Sequence, residues 1–348
     1  MLINLNVFCK NRINLKFNNS EVLLDPEIIK SDVSCIFVSH AHYDHLPIRK
    51  KRPESLPPAV CSKATARLFQ ERIGYQLPQQ DDWSNEEYIL ETMPGGHTFD
   101  STVAKVTNKE NGKITIYTGD INLENRGYLE GYKPIKCNTL ILEATYGDRN
   151  YCFPKFENQI KLAREYISNQ LNNGFPIALL GYPLGKAQLL NHCLGDLCEN
   201  RFSTESIWKM EQIHTELELK LFPTKKLAKN IPNSLLNIEE PWILFHNHTG
   251  YNDQILSYLK RKCNLKVVGF SGWARNEEQY KARMGADAAF IISDHADYSS
   301  LLKIIKESSP EKIFTVFGQT KELAKELQKD GFNAVPLKQG QATLESFF

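Results

Sequence analysis

Six consecutive residues, His40-Ala-His42-Tyr-Asp44-His45, hold the densest chemistry in the chain. Three imidazoles and a carboxylate this close are costly to bury unless a cation compensates them. Imidazole with carboxylate suits Zn2+ or a similar divalent ion. Side chains alternate along extended backbone, so His40 and His42 point the same way. Asp44 and His45 lie past the bend, within reach of a second, adjacent ion. A chance histidine cluster on a solvated loop is the competing explanation. Three further residues are weak alone but occur at strand ends or turns: Asp25 before Pro26, His97 after Pro94-Gly-Gly, and Asp120 after Thr118-Gly.

These side chains need strands to hold them. Ser34–Ser39 is a short apolar run that ends at the first histidine, and Val22–Asp25 is another. Val103–Thr107 alternates in period two, and Lys113–Thr118 follows the turn pair Asn111-Gly112, which predicts a hairpin. Thr139–Glu143 is a further buried strand, and the first 150 residues read as strands separated by turns. From about residue 156 strands alternate with helices: helix Ile160–Leu171, strand Pro176–Leu180, helix Lys186–Leu197, then strands at 243–247, 265–270, 288–292 and 312–317. Helices are expected at Ser299–Lys306 and Lys321–Lys329. That alternation predicts a parallel sheet with crossover helices.

Composition narrows the class. The chain has 348 residues, 42 Lys+Arg against 41 Asp+Glu, 41% hydrophobic and 24% charged residues. These values exclude a disordered or collagen-like chain and point to two domains or one fold with an insertion. A net charge of +1 argues against a sequence-blind nucleic-acid coat. Locally, 156–270 carries 13 basic and 11 acidic residues, and the basic run Arg49-Lys-Lys-Arg52 follows the histidines. That run is either a phosphate track or a solvated face. The eight cysteines form no Cys-x-x-Cys pair, no secretory signal is evident, and no apolar run approaches the ~18 residues of a membrane span. A cytoplasmic protein with reduced thiols, away from membranes, is expected.

The pattern H-x-H-x-D-H, with Asp25, His97 and Asp120 in order around it, resembles the metallo-β-lactamase superfamily. Leu142-Glu143-Ala-Thr-Tyr146 and Ser293-Asp-His295-Ala-Asp297 resemble the acidic and histidine motifs that flank the β-CASP insertion of its nucleic-acid-processing members. Gly181-Tyr-Pro-Leu-Gly185-Lys186 and Phe270-Ser-Gly-Trp273-Ala-Arg275 resemble insert motifs of ligase-associated DNA exonucleases and, more loosely, of the Artemis and crosslink-repair nucleases. The resemblance covers most of the chain, with 200–240 matching nothing. It implies an α/β protein with a four-layer αββα metallo-β-lactamase fold and an inserted α/β β-CASP domain. The boundaries are then 1–155 and 271–348 for the first domain and 156–270 for the insert.

The resemblance implies that His40, His42 and His97 hold one ion, that Asp44 and His45 hold a second, and that Asp120 bridges them and takes the proton of the attacking water. Asp25 would orient a ligand from behind. Zn2+ is expected, one or two ions, with Mn2+ as the alternative. His295 would donate a proton at the scissile phosphate and Glu143 would orient it; a helix-capping stretch and a turn-capping carboxylate are the plain alternatives. Gly185 and Lys186 at a helix start form a candidate phosphate seat, though an ordinary Gly-Lys helix start accounts for them equally. Trp273 and Arg275 are candidate nucleic-acid contacts, against a buried tryptophan. Phe317 stands where many relatives place another metal-binding histidine, which weakens a second ion and favours the DNA-repair branch.

The expected activity is metal-dependent phosphodiester hydrolysis, foremost as a DNA-repair exonuclease on single-stranded ends. RNA processing is the main alternative. A lactonase- or glyoxalase-type hydrolase and a non-catalytic nucleic-acid-binding subunit are less favoured. The expected partners are DNA, with RNA as the alternative, and a functional association with DNA ligase or helicase.

Overall fold

The structure is a computed structural model that describes residues 5–10, 12–48, 52–227 and 233–337. Arg49, Lys50 and Lys51 of the basic run lie outside the described residues. The chain divides into two compact units: Met1–Glu124, Glu130–Cys152 and His295–Phe348 form the first, Asn125–Leu129 and Phe153–Asp294 the second.

In the first unit β1 (Asn6–Cys9), β2 (Ile13–Lys16), β3 (Glu21–Leu24), β4 (Cys35–Phe37), β5 (Ala59–Val60) and β6 (Gln79–Gln80) form a sheet in that order, parallel from β3 onward. Helix α1 (Lys63–Ile73) crosses over between β5 and β6. Ser62 caps its start by accepting from the Thr65 N–H, and Gly74 ends it with φ 95°. This helix corrects the expectation of strands alone over the first 150 residues. Its buried stripe is short and diluted by Thr65, Arg67 and Gln70, so the caps carry the signal. β7 (Trp83–Ser84), β8 (Tyr88–Pro94), β9 (Thr102–Asn108) and β10 (Ile114–Tyr117) pair antiparallel in the second sheet, and β11 (Thr139–Ala144) joins β10 in parallel. The expected hairpin is β9–β10, with Gly112 at φ 70° in its turn.

The second unit alternates α2 (Phe156–Asn172), β12 (Ile177–Gly181), α3 (Lys186–Leu194), β13 (Arg201–Ser203), α4 (Glu205–Glu216), β14 (Lys225–Lys226), α5 (Asn233–Leu236), β15 (Ile243–Asn247), α6 (Gln254–Cys263), β16 (Lys266–Phe270), α7 (Glu277–Met284) and β17 (Ala288–Phe290). Its parallel sheet runs β14-β13-β15-β12-β16-β17. Both faces are covered: Ile177, Leu179, Phe245 and Val268 pack into one apolar cluster, and their neighbours Ala178, Leu180, Leu244 and Val267 into another. Because β17 pairs with β16, residues 271–294 lie in this unit. The break expected at residue 270 therefore falls at Asp294.

The chain then returns to the first unit as α8 (Tyr298–Ser308), β18 (Lys312–Gly318), α9 (Thr320–Lys329) and β19 (Ala334–Pro336). β18 adds in parallel to β11, and β19 to β18. Leu15, Leu24 and Phe37 of the first sheet meet Tyr117, Ile141 and Phe314 of the second in the central core. On the far face of the second sheet, Ile116, Leu140 and Leu142 meet Leu301 and Ile304 of α8 and Leu323 and Leu327 of α9. With α1 crossing over on the first sheet, the unit is the expected four-layer αββα stack. Among the described residues no helix is long and apolar enough to cross a membrane.

Candidate active site

The first unit gathers its titratable side chains where β3, β4 and β10 end. Asp25 follows β3 in a left-handed conformation, φ 46°, and its N–H donates to the Phe37 carbonyl at the end of β4. The turn aims a fully buried carboxylate at the histidine loop. Ser39 donates to it twice, through its N–H (2.7 Å) and its hydroxyl (2.6 Å). Tyr117 OH donates at 2.6 Å, and His45 Nδ1 lies at 2.7 Å. Ser39 Oγ also sits 3.0 Å from His40 Nδ1. Since that hydroxyl gives its proton to Asp25, it accepts from His40 Nδ1–H, which leaves the His40 Nε2 lone pair facing the site.

Four donor atoms converge there. His40 Nε2 is 3.0 Å and His97 Nε2 is 3.1 Å from His42 Nδ1. Asp120 Oδ2 lies 3.5 Å from His40 Nε2 and 3.6 Å from His97 Nε2. A tetrahedral Zn2+ with ligand bonds of ~2.0–2.1 Å spaces its ligand atoms by roughly 3.3 Å, so these separations fit one such ion. His40, His97 and Asp120 are buried and His42 is half-buried. Burial and the imidazoles of His45, His97 and His42 hold the His40 pKa well below its ordinary value, so the ring is neutral, the form that binds metal. His40, His42, His97 and Asp120 would hold the ion. His97 is fixed from behind by Gly96, whose φ is 72° and where a Cβ would stand 2.5 Å from the Asn122 carbonyl. Arg72 of α1 donates to the Ala41 carbonyl at 2.7 Å and lies over the Tyr43 ring, which pins the loop.

His45 and Asp44 part company. Both lie in a 3-10 turn, Tyr43–His45, where successive side chains leave the axis in different directions. His45 turns inward, with Nε2 3.3 Å from Asp120 Oδ2. Burial opposes charge on His45, but Asp120 and Asp25 outweigh it and raise its pKa well above the ordinary value. Asp44 is exposed and is not among the gathered ligands. The expected pairing of Asp44 with His45 on a second ion is thus not formed by the described geometry. Phe317 packs against His45 with centroids 4.7 Å apart and 48° between planes, and the Arg12 guanidinium lies 5.7 Å from the Phe317 ring centroid.

Asp120 also belongs to a second group with Glu143 and His295. Burial works against its charge, but His45, His295 and His97 hold its pKa well below the usual carboxylate range. Glu143 is the penultimate residue of β11, at the point where the pairing with β18 shifts register. Its carboxylate lies 3.0 Å from His295 Nδ1 and accepts from the Ile121 N–H and the Thr145 hydroxyl. Asn122 Nδ2 donates to the His295 carbonyl at 3.0 Å. His295 Nδ1 is engaged by Glu143, and the residue is only partly buried. Ser39, Tyr117, Asn122, Thr145 and Arg72 were invisible in the sequence as site residues. Only Ser39, beside His40, carried a positional hint.

In the second unit the phosphate-seat expectation changes. Gly185 starts α3 with φ 91°, but its N–H donates to the Gln188 side chain. Lys186 is buried, donating to the Ile292 carbonyl at 2.6 Å and pairing with Asp294 at 3.0 Å. Arg126 binds the same Asp294 and the Ser293 carbonyl. Lys186 is therefore a structural cation. Trp273 and Arg275 are exposed, so the buried-tryptophan alternative does not hold.

Residues 288–336 match the family described as RMMBL, a Zn-dependent metallo-hydrolase RNA specificity domain. The chain is 26% identical over 305 residues to a probable DNA ligase of Opitutus terrae, covering 86% of this chain but only 28% of that protein. It is 24% identical to an RNase J-like protein of Methanocaldococcus jannaschii over 84% of this chain and 83% of the relative. A crystal structure of a protein of unknown function from Enterococcus faecalis V583 superposes with TM-score 0.61 at 13% identity, over 98% of this chain and 99% of that one.

Proposed function

The chain belongs to the β-CASP group of the metallo-β-lactamase superfamily, and from that premise we propose that it is a metal-dependent nuclease that removes nucleotides from single-stranded DNA ends. The carrying observation is Asp120, shared between the His40, His42 and His97 cluster and the His295–Glu143 pair. A hydrolase of anionic phosphodiesters needs a charge-neutralising centre and a proton donor side by side, and this carboxylate joins them. An ion bound there supplies charge neutralisation and brings the pKa of water to about 7. Asp120 orients the attacking water and accepts its hydrogen. Glu143 aligns His295 and favours its protonated form, so that Nε2–H donates to the leaving oxygen.

DNA is favoured over RNA because one relative is named a probable DNA ligase, and because Phe317 stands where the family resemblance places a histidine in many RNA-processing members. Association with a ligase or helicase in a reducing cytoplasm fits the same relative and the eight free cysteines. The matched RNA specificity domain and the RNase J-like relative support RNA as the second substrate class. Trp273 and Arg275 are offered as nucleic-acid contacts on their exposure.

The test is hydrolysis of end-labelled single strands of one sequence, as DNA and as RNA, with 5′-phosphate or 5′-hydroxyl and Zn2+ or Mn2+ added back. His42→Ala and His295→Ala serve as controls. Shortening of the DNA strand that both substitutions abolish is expected. If metal-loaded protein cuts neither strand, the proposal fails.

A further inference from the structure

Among the described residues of the second unit, the exposed aromatic side chains are Tyr182, Tyr251 and Trp273, at 49%, 64% and 45% exposure. All three follow the carboxyl ends of neighbouring parallel strands: Tyr182 after β12, Tyr251 after β15 and Trp273 after β16. β12 leads onward to β13 on one side of the sheet and β16 to β17 on the other. In open parallel sheets the connections diverge at such a point, and the carboxyl edge there is where ligands bind.

One of these rings is built in rather than scattered. Tyr182 lies 5.0 Å from the His248 ring at 33° between planes. The His248 N–H donates to the Gly181 carbonyl, which fixes the two rings across adjacent strands. His248 Nε2 is 2.9 Å from the hydroxyl of buried Tyr280. Burial, with Lys186 and Arg283, lowers the His248 pKa to about 4, so the ring paired with Tyr280 is neutral. Tyr280 in turn fits against β16 because position 269 is glycine: a Cβ there would stand 2.4 Å from the edge of the tyrosine ring. The result is a run of rings tilted by 33° and 41° at centroid distances of 5.0 and 6.1 Å, from Gly269 inside to half-exposed Tyr182.

We propose that Tyr182 is a base-stacking residue for single-stranded nucleic acid, with His248 and Tyr280 as positioning residues that hold its ring; this rests on the nuclease function proposed above. A nucleobase extends such a run by one ring without any demand on sequence, because every base has a π-face. The charge at this edge suits the phosphates between bases. Exposed Arg275 and Arg283 lie in the segment that carries Trp273 and α7, while Glu277 and Glu278 are engaged by Lys281. The Arg283 carbonyl also anchors Tyr251 by accepting its N–H at 3.0 Å.

The experiment uses the full, metal-loaded chain in a His295→Ala background, so that bound strands survive. A fluorescein-labelled oligo-dT strand and an abasic strand of equal length are titrated by anisotropy. The oligo-dT strand should bind about tenfold more tightly than the abasic one. Tyr182→Leu should erase that preference and leave abasic binding unchanged, whereas Tyr182→Trp should keep it. His248→Ala should weaken the preference, and His248→Phe, which restores a ring, should recover it. Two results overturn the proposal: Tyr182→Leu binding oligo-dT as tightly as its parent, or the substitution changing only self-association by light scattering. If the parent binds neither strand, the nuclease function fails and the stacking role falls with it; if it binds both equally, only the stacking role falls.

Discussion

Replacing Asp25 by asparagine tests whether the ion site is held from behind. The carboxylate is fully buried and takes four donors: the Ser39 N–H on Oδ1, and Ser39 Oγ, Tyr117 OH and His45 Nδ1 on Oδ2. An amide has one oxygen, and its least costly placement keeps that oxygen among the three donors. Its NH2 then faces the Ser39 N–H, donor against donor. A buried donor left unsatisfied costs ~1–3 kcal/mol, and the His45 contact loses about half its strength with the charge. Together these give ~2–4 kcal/mol, or roughly 5–15 °C in Tm. Because Asp25 orients His45 directly and His40 through Ser39, ion affinity should fall about 10–100-fold. Competition against a chromogenic chelator measures the affinity, and calorimetry of the ion-free chain measures the stability. Tyr117→Phe is the comparator: it removes one of four donors and should cost ~0.5–1.5 kcal/mol with little change in ion affinity. Wild-type affinity in Asp25→Asn, or an equal loss in Tyr117→Phe, would refute the orienting role.

Glu143→Gln should lower kcat about 10²–10⁴-fold while metal content by elemental analysis stays at the wild-type level, since Glu143 acts on His295; loss of the ion instead would assign it to the metal. Lys186→Met should destabilise by ~3 kcal/mol in denaturant unfolding, the low end for a broken buried pair because Arg126 still serves Asp294. The same variant should leave the ratio of 5′-phosphate to 5′-hydroxyl strand binding unchanged, and a collapsed ratio would restore the phosphate-seat role. Phe317→His should raise the ions bound per chain, because the new imidazole replaces a ring packed against His45 and histidine adopts the φ of 56° more readily than phenylalanine. Unchanged stoichiometry would show that no second ion can be recruited there.

The ligand cluster was legible because its information is local. His40 and His42 share a face through strand alternation alone, and Asp25, His97 and Asp120 each end a strand or turn. The supporting contacts were not legible: Tyr117 reaches Asp25 across 92 positions of sequence, and no spacing rule encodes that. Asp44 misled for the opposite reason, since a motif fixes the order of residues but the 3-10 turn decides which of them face inward. Lys186 looked like a surface cation because Gly-Lys at a helix start is common. Its acid partner lies 108 residues later, in a loop that only the folded sheet brings close. The domain break at Asp294 was missed because β17 is a three-residue strand, too short for periodicity to assign to either sheet.

The pairing of β11 with β18 joins Thr139 to Lys312, and Glu143 meets His295 across 152 residues. Between them lies nearly the whole second unit, which is contiguous from Phe153 to Asp294 apart from the strip Asn125–Leu129. Contacts of such long range form late, because loop closure must precede them. As the chain is synthesised, the second unit is complete before β18 exists, and domains fold as units in that order. The four residues that could hold an ion, His40 to Asp120, precede the insert, whereas His295 and the strand beside Glu143 arrive only after the insert has been made. The contact between Glu143 and His295 therefore forms only after the whole insert has been made, long after the cluster of His40, His42, His97 and Asp120 is in place.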